Sequence, residues 1–340
     1  MLSGRSAAPC AYRWLMDVFD ELLRGVRGKG ALFGRSVLWP PWSLRFTDGA
    51  YLTLCVPLRG EGWIIPEGGN GDGGRGGDGT ARRVRVGEAA IVRGPAPFVF
   101  TDDPATGTGP GASVREVRWD AGPGNDPAPP DELTGPTVLV AAAFDVHAEV
   151  PRRLLQVLPP VLVVPDEDDC SPLRDYLGAQ IGRARPGRQI VLDRQLDWML
   201  VCTLRDWFDR PEAAPPTWYR ALGDEVAGPA LRAMHEEPAH PWTTAELAAR
   251  AGVSRTTFAK RFTELVGEGP VAYLTEWRMT LAADLLSRRD LTVAAVARRV
   301  GYADAFGFSA AFKRIRGVSP SAYRREPEAR GEPDRESPAG

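Results

Sequence analysis

An internal repeat near the C-terminal end constrains the fold of this 340-residue chain more than any other feature. The repeated pairs are Gly252 with Gly301, Phe258 with Phe308, and Phe262 with Phe312. The glycines are 49 residues apart and the phenylalanines 50, so the one-residue difference falls in the turn. Chance seldom produces such matched spacing, which predicts two copies of one helical unit.

The first copy carries helix start and stop signals in order. Thr243, with Glu246 three residues later, forms a capping box that begins a helix. Gly252 ends that helix because the tight turn needs a residue that tolerates a positive φ. Ser254 can then cap a second helix.

The second helix of this copy is predicted to have one apolar and one polar face. At about 100° per residue, the arc predicted to face the core holds Phe258, Phe262 and Leu265. The opposite arc holds Thr256, Lys260 and Thr263, flanked by Arg255, Ala259 and Arg261. This arrangement is typical of a helix-turn-helix whose second helix enters the major groove of DNA. The alternative is a pair of packed helices with a solvated face.

The second copy repeats these signals with a different outer face. Thr292 and Asp304 are predicted caps on either side of the Gly301 turn, with Ile315 joining the two phenylalanines on the inner face. The outer arc holds Phe306, Ala310 and Lys313.

One long helix is predicted between the copies, over residues 269–289. Its apolar stripe is formed by Leu274, Trp277, Leu281 and Leu285. Roughly 17 residues span about 26 Å. A rod of that size can set two recognition helices into successive major-groove turns about 34 Å apart.

Charge favours DNA binding by the same region. Residues 221–325 hold 15 Lys and Arg against 11 Asp and Glu, a net charge of +4 in a chain whose total is −2. The remainder therefore carries −6, so the basic balance lies where phosphate contacts are needed.

Residues 1–150 have the pattern of a β domain. Short apolar runs alternate with Gly and Pro turns, which predicts a sandwich or barrel. The predicted strands cover residues 31–38, 51–58, 62–66, 82–87, 89–92, 97–101, 113–119 and 137–146. A helix is predicted before them at 12–26, and flexible loops between them at 68–79, 104–113 and 120–132.

The next segment, residues 151–220, reads as helical and ends in a proline-rich linker at 211–217. The stretches 152–164 and 188–210 carry apolar residues at helical spacing. These helices serve either as a dimer surface or as a cap on the barrel, and the pattern leaves both open. The tail, 326–340, is predicted to be disordered.

Composition indicates a cytoplasmic location. No apolar run reaches the roughly 18 residues of a membrane helix, and charges interrupt the N-terminal apolar part, unlike a signal peptide. The cysteines, Cys10, Cys55, Cys170 and Cys202, form no C-x-x-C pair. This spacing argues against a zinc site and favours idle thiols, although a thiol sensor stays open.

The stretches "GVSRTTFAKRFTELVG", "YLTEWRM" and "GVSPSAYR" resemble the AraC/XylS family of bacterial transcription regulators in order and spacing. This resemblance covers about 100 residues and implies a bipartite domain that binds promoter DNA sequence-specifically. The stretch 135–164 is similar to the segment that follows the cupin-type sensor barrel in one branch of that family.

The second recognition helix departs from the family pattern. The family usually has Ser and Arg where this chain has Phe306 and Ala310. We therefore expect the first unit to carry most hydrogen-bonded base reading, and the second to give phosphate and thymine-methyl contacts. The candidate DNA-binding residues are Ser254, Arg255, Thr256, Thr257, Ala259, Lys260, Arg261, Thr263, Phe306, Ser309, Ala310, Lys313 and Arg314.

A metal-dependent cupin enzyme is not expected. Such a site needs about three His and a Glu on neighbouring strands, whereas the chain has only His147, His235 and His240. A small apolar effector in the barrel is the remaining option, with ordinary core packing as the alternative. The candidate lining residues are Trp42, Tyr51, Trp63, Phe98 and Phe100.

The predicted fold class is α+β multidomain: a cupin-like β-barrel at 1–150, a helical linker at 151–220 and a tandem helix-turn-helix domain at 221–325. The leading hypothesis is a transcription regulator that binds double-stranded promoter DNA, controlled by an unknown small-molecule effector. The alternative is a ligand-independent regulator whose barrel mediates protein–protein assembly. A homodimer and RNA polymerase are further candidate partners, and no cofactor, metal or membrane partner is expected.

Overall fold

Two compact units make up the described part of the chain in the computed structural model. The sheet unit contains residues 26–146 and 155–214, and the helical unit contains residues 148–154 and 215–325. The structure describes residues 26–325 apart from 32–36, 68–80, 108–113, 118–135, 147, 166–170, 181–185 and 289.

Two sheets form the frame of the sheet unit. The strands are β1 (Arg27–Ala31), β2 (Val37–Leu38), β3 (Ser43–Phe46), β4 (Leu52–Arg59), β5 (Glu61–Pro66), β6 (Arg82–Arg85), β7 (Glu88–Arg93), β8 (Phe98–Thr101), β9 (Val114–Val117), β10 (Thr137–Asp145) and β11 (Val161–Pro165). One sheet has the order β1-β10-β4-β7-β11 with β2 paired to β10; the other has the order β6-β5-β8-β3-β9. The β3–β9 pair is parallel and the other pairs are antiparallel.

The core of the sheet unit lies between the two sheets. One buried cluster takes side chains from both of them, so the sheets pack face to face. Phe46 and Phe98 stack with ring centroids 4.5 Å apart, and Trp42 meets Phe100 edge-on at 5.5 Å. Such stacked and edge-on pairs add to the hydrophobic stabilisation.

Three helices complete the sheet unit: α1 (Pro104–Gly107), α3 (Ser171–Gln180) and α4 (Arg188–Phe208). Helix α4 contacts β1, where Asp197 accepts a hydrogen bond from the Gly28 N–H at 2.8 Å. Strands β4 and β10 are buried almost throughout, which explains their continuous apolar sequences.

The predicted α+β organisation is confirmed, with three corrections. In the described residues the strands pair as two sheets, which fits the predicted sandwich and not the predicted barrel. The helical prediction for 152–164 is wrong at its end, since β11 pairs with β7 there. Pro159 and Pro160 end the preceding helix, and the following valines suit a strand. Strand β3 was missed, although Trp42, Leu44 and Phe46 alternate with polar residues at the period of a strand.

Several predicted segments are only partly covered by the structure. Of the strand predicted at 31–38, Ala31 ends β1 and Val37–Leu38 forms β2. The segments and residues that lie outside the described residues are the predicted helix 12–26 except Val26, the loops 68–79 and 120–132, residues 108–113, the tail 326–340, Cys10, His147 and Cys170. The first four residues of the predicted loop 104–113 form the short helix α1 instead.

The helical unit is built around one long central helix. Its helices are α2 (Glu149–Leu155, assigned to this unit through Leu154), α5 (Thr217–Ala221), α6 (Ala227–Glu236), α7 (Thr244–Arg250), α8 (Arg255–Val266), α9 (Pro270–Ser287), α10 (Val293–Arg299), α11 (Ala305–Arg316) and α12 (Pro320–Arg325). The predicted helix between the repeats is present as α9, with proline at its first position. Leu274 and Trp277 are buried and Leu281 and Leu285 half-buried.

Burial extends around α9 beyond the predicted stripe. The other buried nonpolar and aromatic residues of the helix are Pro270, Tyr273, Met279, Ala282, Ala283 and Leu286. Helix α9 is therefore the core of the unit and not a rod with one apolar stripe. Within the ranges described here, no helix has both the length and the apolar character needed to cross a bilayer.

Candidate nucleic-acid interface

The two repeats fold as matching helix-turn-helix units, α7–α8 and α10–α11. The Thr243 hydroxyl accepts a hydrogen bond from the Glu246 N–H, and the Glu246 carboxylate accepts one from the Thr243 N–H. The predicted capping box is therefore present. Gly252 and Gly301 have φ of +67° and +84°, the left-handed conformation that the turns require.

Side-chain caps begin the second helix of each unit. The Ser254 hydroxyl accepts from the Thr257 N–H at 3.2 Å. The Asp304 carboxylate accepts from the N–H groups of Phe306 and Gly307 at 2.8 and 2.7 Å. These bonds satisfy amides that have no partner within the helix, and they confirm both predicted caps.

A pair of buried phenylalanines packs the second helix of each unit into the core. Phe258 and Phe262 are fully buried, with ring centroids 5.6 Å apart. Phe308 and Phe312 are also fully buried, with centroids 5.7 Å apart. The two helices are therefore seated in the same way, as the repeat predicts. The other residues predicted to face inward, Leu265 and Ile315, are half-buried.

The outer face of α8 is exposed and polar. The exposed candidates are Ser254, Arg255, Thr256, Thr257, Lys260, Arg261 and Thr263, whereas Ala259 is half-buried. The Lys260 side chain is 78% exposed, with its Nζ 3.9 Å from Glu264. Arg261 is less available, since its guanidinium donates twice to the Asp224 carboxylate, at 2.8 and 3.2 Å.

The outer face of α11 begins with a large exposed aromatic ring. Phe306 is 87% exposed, which is unusual for a phenylalanine outside a binding surface. Ala310, Lys313 and Arg314 are exposed as well. Ser309 is half-buried, and its hydroxyl donates to the Ala305 carbonyl at 2.7 Å.

Two supporting residues were not found from the sequence. Arg278 on α9 donates to the carbonyl oxygens of Pro238 and His240, both at 2.7 Å, and so fixes the loop between α6 and α7. His235 on α6 is buried, with Nε2 2.6 Å from the Tyr273 hydroxyl. Burial lowers the pKa of His235 to about 3, and the positive charge of Arg153 makes a smaller contribution in the same direction. Neither residue lies on a periodic polar face, so no local signal marks them.

The five candidate ligand residues do not surround one cavity. Trp42, Phe98 and Phe100 are buried in the core between the sheets, and Tyr51 and Trp63 are half-buried. Of these five, Phe98 lines a small concavity with room for about one water molecule, together with Phe46, Asp48, Gly49, Ala50, Thr53, Val92, Gly94 and Ala96. In the described residues, no group of three or more His, Cys, Asp or Glu side chains could hold a metal ion.

Comparisons with known proteins agree with this architecture. The cupin family matches residues 17–209, and a helix-turn-helix domain family matches residues 247–326. A Streptomyces lividans protein named as an AraC-like transcription regulator is 34% identical, covering 92% of this chain and 99% of its own length. A protein of Streptomyces antibioticus with the same name is 32% identical over the same shares.

Among solved structures, the DNA-binding domain of the transcriptional factor AdpA, in complex with a target DNA, is 35% identical to this chain. The match covers 32% of this chain and 96% of that one, with a TM-score of 0.30. Taken with the near full-length match to the Streptomyces lividans protein, the two family matches identify the chain as a member of the AraC-like transcription regulators, with a cupin domain followed by a DNA-binding helix-turn-helix domain.

Proposed function

We propose that the chain regulates transcription by reading double-stranded promoter DNA sequence-specifically through both α8 and α11. The observation that carries this proposal is the matched seating of the two helices, each on a buried phenylalanine pair with its other face exposed. The 18 residues of α9 join the two units, a length of about 27 Å. That length suits two successive major-groove turns, about 34 Å apart. The proposed role is regulatory and not catalytic.

The two helices are proposed to read DNA in different ways. On α8, hydroxyl and cationic side chains offer hydrogen bonds to base edges and phosphates. On α11, Phe306 and Ala310 offer apolar contact to thymine methyls, while Lys313 and Arg314 reach phosphates. The proposed contact residues are Ser254, Arg255, Thr256, Thr257, Ala259, Lys260, Arg261 and Thr263 on and before α8, and Phe306, Ser309, Ala310, Lys313 and Arg314 on α11.

Selection from a random duplex library with the full chain tests this proposal. We expect enrichment of a motif with two segments about 10 base pairs apart. Lys260→Ala should relax preference in one segment, and Phe306→Ala should weaken the other. The proposal of DNA reading fails if the wild-type chain enriches no motif. The proposed difference between the two helices is wrong if Lys260→Ala keeps the wild-type sequence preference while Phe306→Ala abolishes it.

For the sheet unit, we propose a small-molecule effector site as the first candidate role and protein–protein assembly as the second. The match to the cupin family over residues 17–209 supports an effector. Assembly is favoured by the filled space between the sheets and by an apolar face on α4. There Ile190, Val191 and Trp198 are 62%, 43% and 58% exposed on the same side of the helix as the exposed Arg194, and exposed apolar residues bordered by polar ones are typical of contact sites.

Thermal stabilisation by a metabolite panel, combined with the mass in solution, separates these roles. A compound that raises the melting temperature of the chain favours the effector. A stable dimer that no compound stabilises, and that Trp198→Ser dissociates, favours assembly, with a homodimer as the partner. RNA polymerase is a further proposed partner of the DNA-bound form.

A further inference from the structure

A short segment from the middle of the chain belongs to the DNA-binding unit. Residues 148–154 lie in sequence between β10 and β11, two strands of the sheet unit, yet they pack within the helical unit. Val150 and Leu154 are 7% and 0% exposed. Burial of this kind indicates that the segment is packed and is not a loose connection.

The segment lies along one side of α9. The Asp284 carboxylate accepts hydrogen bonds from the N–H groups of Glu149 and Val150, at 2.5 and 3.3 Å. At the other end, the Arg153 guanidinium lies 5.4 Å from the ring centroid of Tyr273 and 3.9 Å from the Glu276 carboxylate. Residues 273, 276 and 284 share one face of a helix, so the segment follows α9 over about three turns.

Glu149 extends these contacts to the second helix-turn-helix unit. Its carboxylate accepts a hydrogen bond from the Tyr323 hydroxyl at 3.3 Å and lies 4.0 Å from Arg316 Nη1. Arg316, the last residue of α11, also donates to the Thr280 hydroxyl at 3.1 Å. The Glu149 carboxylate thus joins the end of α11 to α12, and the Glu149 N–H joins both to α9.

The first unit is attached by different residues. The Thr217 hydroxyl donates to the carbonyl of Val266 at 2.7 Å, and Asp224 binds Arg261. Both come from the segment that precedes α7. Helices α8 and α11 are therefore held by different polar contacts, α8 by residues 37 and 49 positions before their partners and α11 by a residue more than 150 positions earlier.

We infer that Glu149 and Asp284 are positioning residues for DNA reading: through them, residues 148–154 hold α11 and α12 on α9 and complete the DNA-binding unit. This inference rests on the proposed reading of DNA by α11. The docked segment leaves Phe306, Ala310 and Lys313 exposed, so docking supports reading and does not block it.

Hydrogen–deuterium exchange on the full chain tests the positioning role without DNA. In Glu149→Gln we expect amides of Ala305–Arg316 to exchange about tenfold faster, because the ion pair with Arg316 and the charge on the acceptor of the Tyr323 hydroxyl are lost. Arg255–Val266 should keep its wild-type rate. Glu236→Gln removes an exposed carboxylate of α6 and should change neither helix. If Glu149→Gln is too unstable to measure, Asp284→Asn should give the same difference between the helices.

Footprinting on a duplex selected by the wild-type chain supplies the functional measurement. Glu149→Gln should lose protection over the segment that Phe306→Ala identifies and keep it over the other. Equal loosening of α8 and α11, or wild-type exchange in both, would overturn the inference. Failure of the wild-type chain to select any duplex would instead count against the proposed function, because the exchange result does not depend on DNA.

Discussion

A Cβ atom on Gly301 would stand 2.6 Å from the carbonyl oxygen of Ala239, so the second turn packs directly against the loop between α6 and α7. The same atom would lie 2.9 Å from Arg278 Nη2, whose guanidinium holds that loop. On Gly252, the equivalent residue of the first repeat, a Cβ would meet nothing within 4 Å. Two positions that match in sequence therefore meet different surroundings.

The glycine pair gives a stability prediction. Gly252→Ala should cost about 1–2 kcal/mol, the strain of a left-handed alanine. Gly301→Ala should cost about 3 kcal/mol or more, because the strain adds to overpacking against backbone. Urea unfolding monitored by circular dichroism measures both. Equal losses in the two variants would show that the loop moves aside.

Arg255 and Arg261 should differ in their effect on DNA affinity. Arg255 is exposed at the start of α8, whereas Arg261 is held by Asp224. We expect Arg255→Ala to reduce the slope of log affinity against log salt by about 1, as for one phosphate contact. Arg261→Ala should reduce this slope by a smaller amount. Titrations on a selected duplex at several salt concentrations check this, and a larger change for Arg261→Ala contradicts it.

His235 should make the helical unit less stable in mild acid. Its folded pKa of about 3 lies below the ordinary 6.5, so the folded state binds fewer protons between these values. The stability present above pH 6.5 is therefore lost as pH falls towards 3. At pH 5 the loss should be about 2 kcal/mol relative to pH 8.

The control for this effect is His235→Gln, which keeps a hydrogen bond to the Tyr273 hydroxyl but does not titrate. Unfolding free energies of the wild-type and variant chains, measured from pH 5 to pH 8, should converge towards acid. A constant difference across that range would mean that His235 does not carry the pH dependence.

The Cys55 thiol should be unreactive in the folded chain. It is fully buried, and burial raises its pKa well above the ordinary value, so the nucleophilic thiolate is scarce. Cys202 is 4% exposed and should behave in the same way. We expect iodoacetamide to leave both residues unlabelled in native buffer and to label them in urea, as read by peptide mass spectrometry. Native labelling of Cys55 would revive a thiol-sensor role for it.

Phe100 should act as core and not as a ligand contact. It is fully buried against Trp42, so Phe100→Ala should cost about 3–5 kcal/mol of unfolding free energy. Val86→Ala, at a 52% exposed residue, is the control and should change stability by about 0.5 kcal/mol or less. A Phe100→Ala chain of near wild-type stability would indicate an interior space open to a ligand.

Local signals explain why the helix-turn-helix units could be predicted well. Capping boxes, turn glycines and a 3.6-residue period act within a few residues of each other, so Thr243, Gly252 and the buried phenylalanines could be assigned from sequence alone. The strand pattern of the first 150 residues was predictable for the same reason. The strand after Pro160 carries too little local pattern to outweigh the helical spacing of the residues before it.

The sequence by itself determined the two repeats, their inward and outward faces and most strands, because each depends on spacing along the chain. Only the tertiary structure decided that the strands pair as two packed sheets, that Arg261 is held by Asp224, and that Glu149 reaches Arg316 and Tyr323. These pairings join residues far apart in sequence, and which distant groups meet is fixed by the packing of whole elements. No local period or cap encodes that choice.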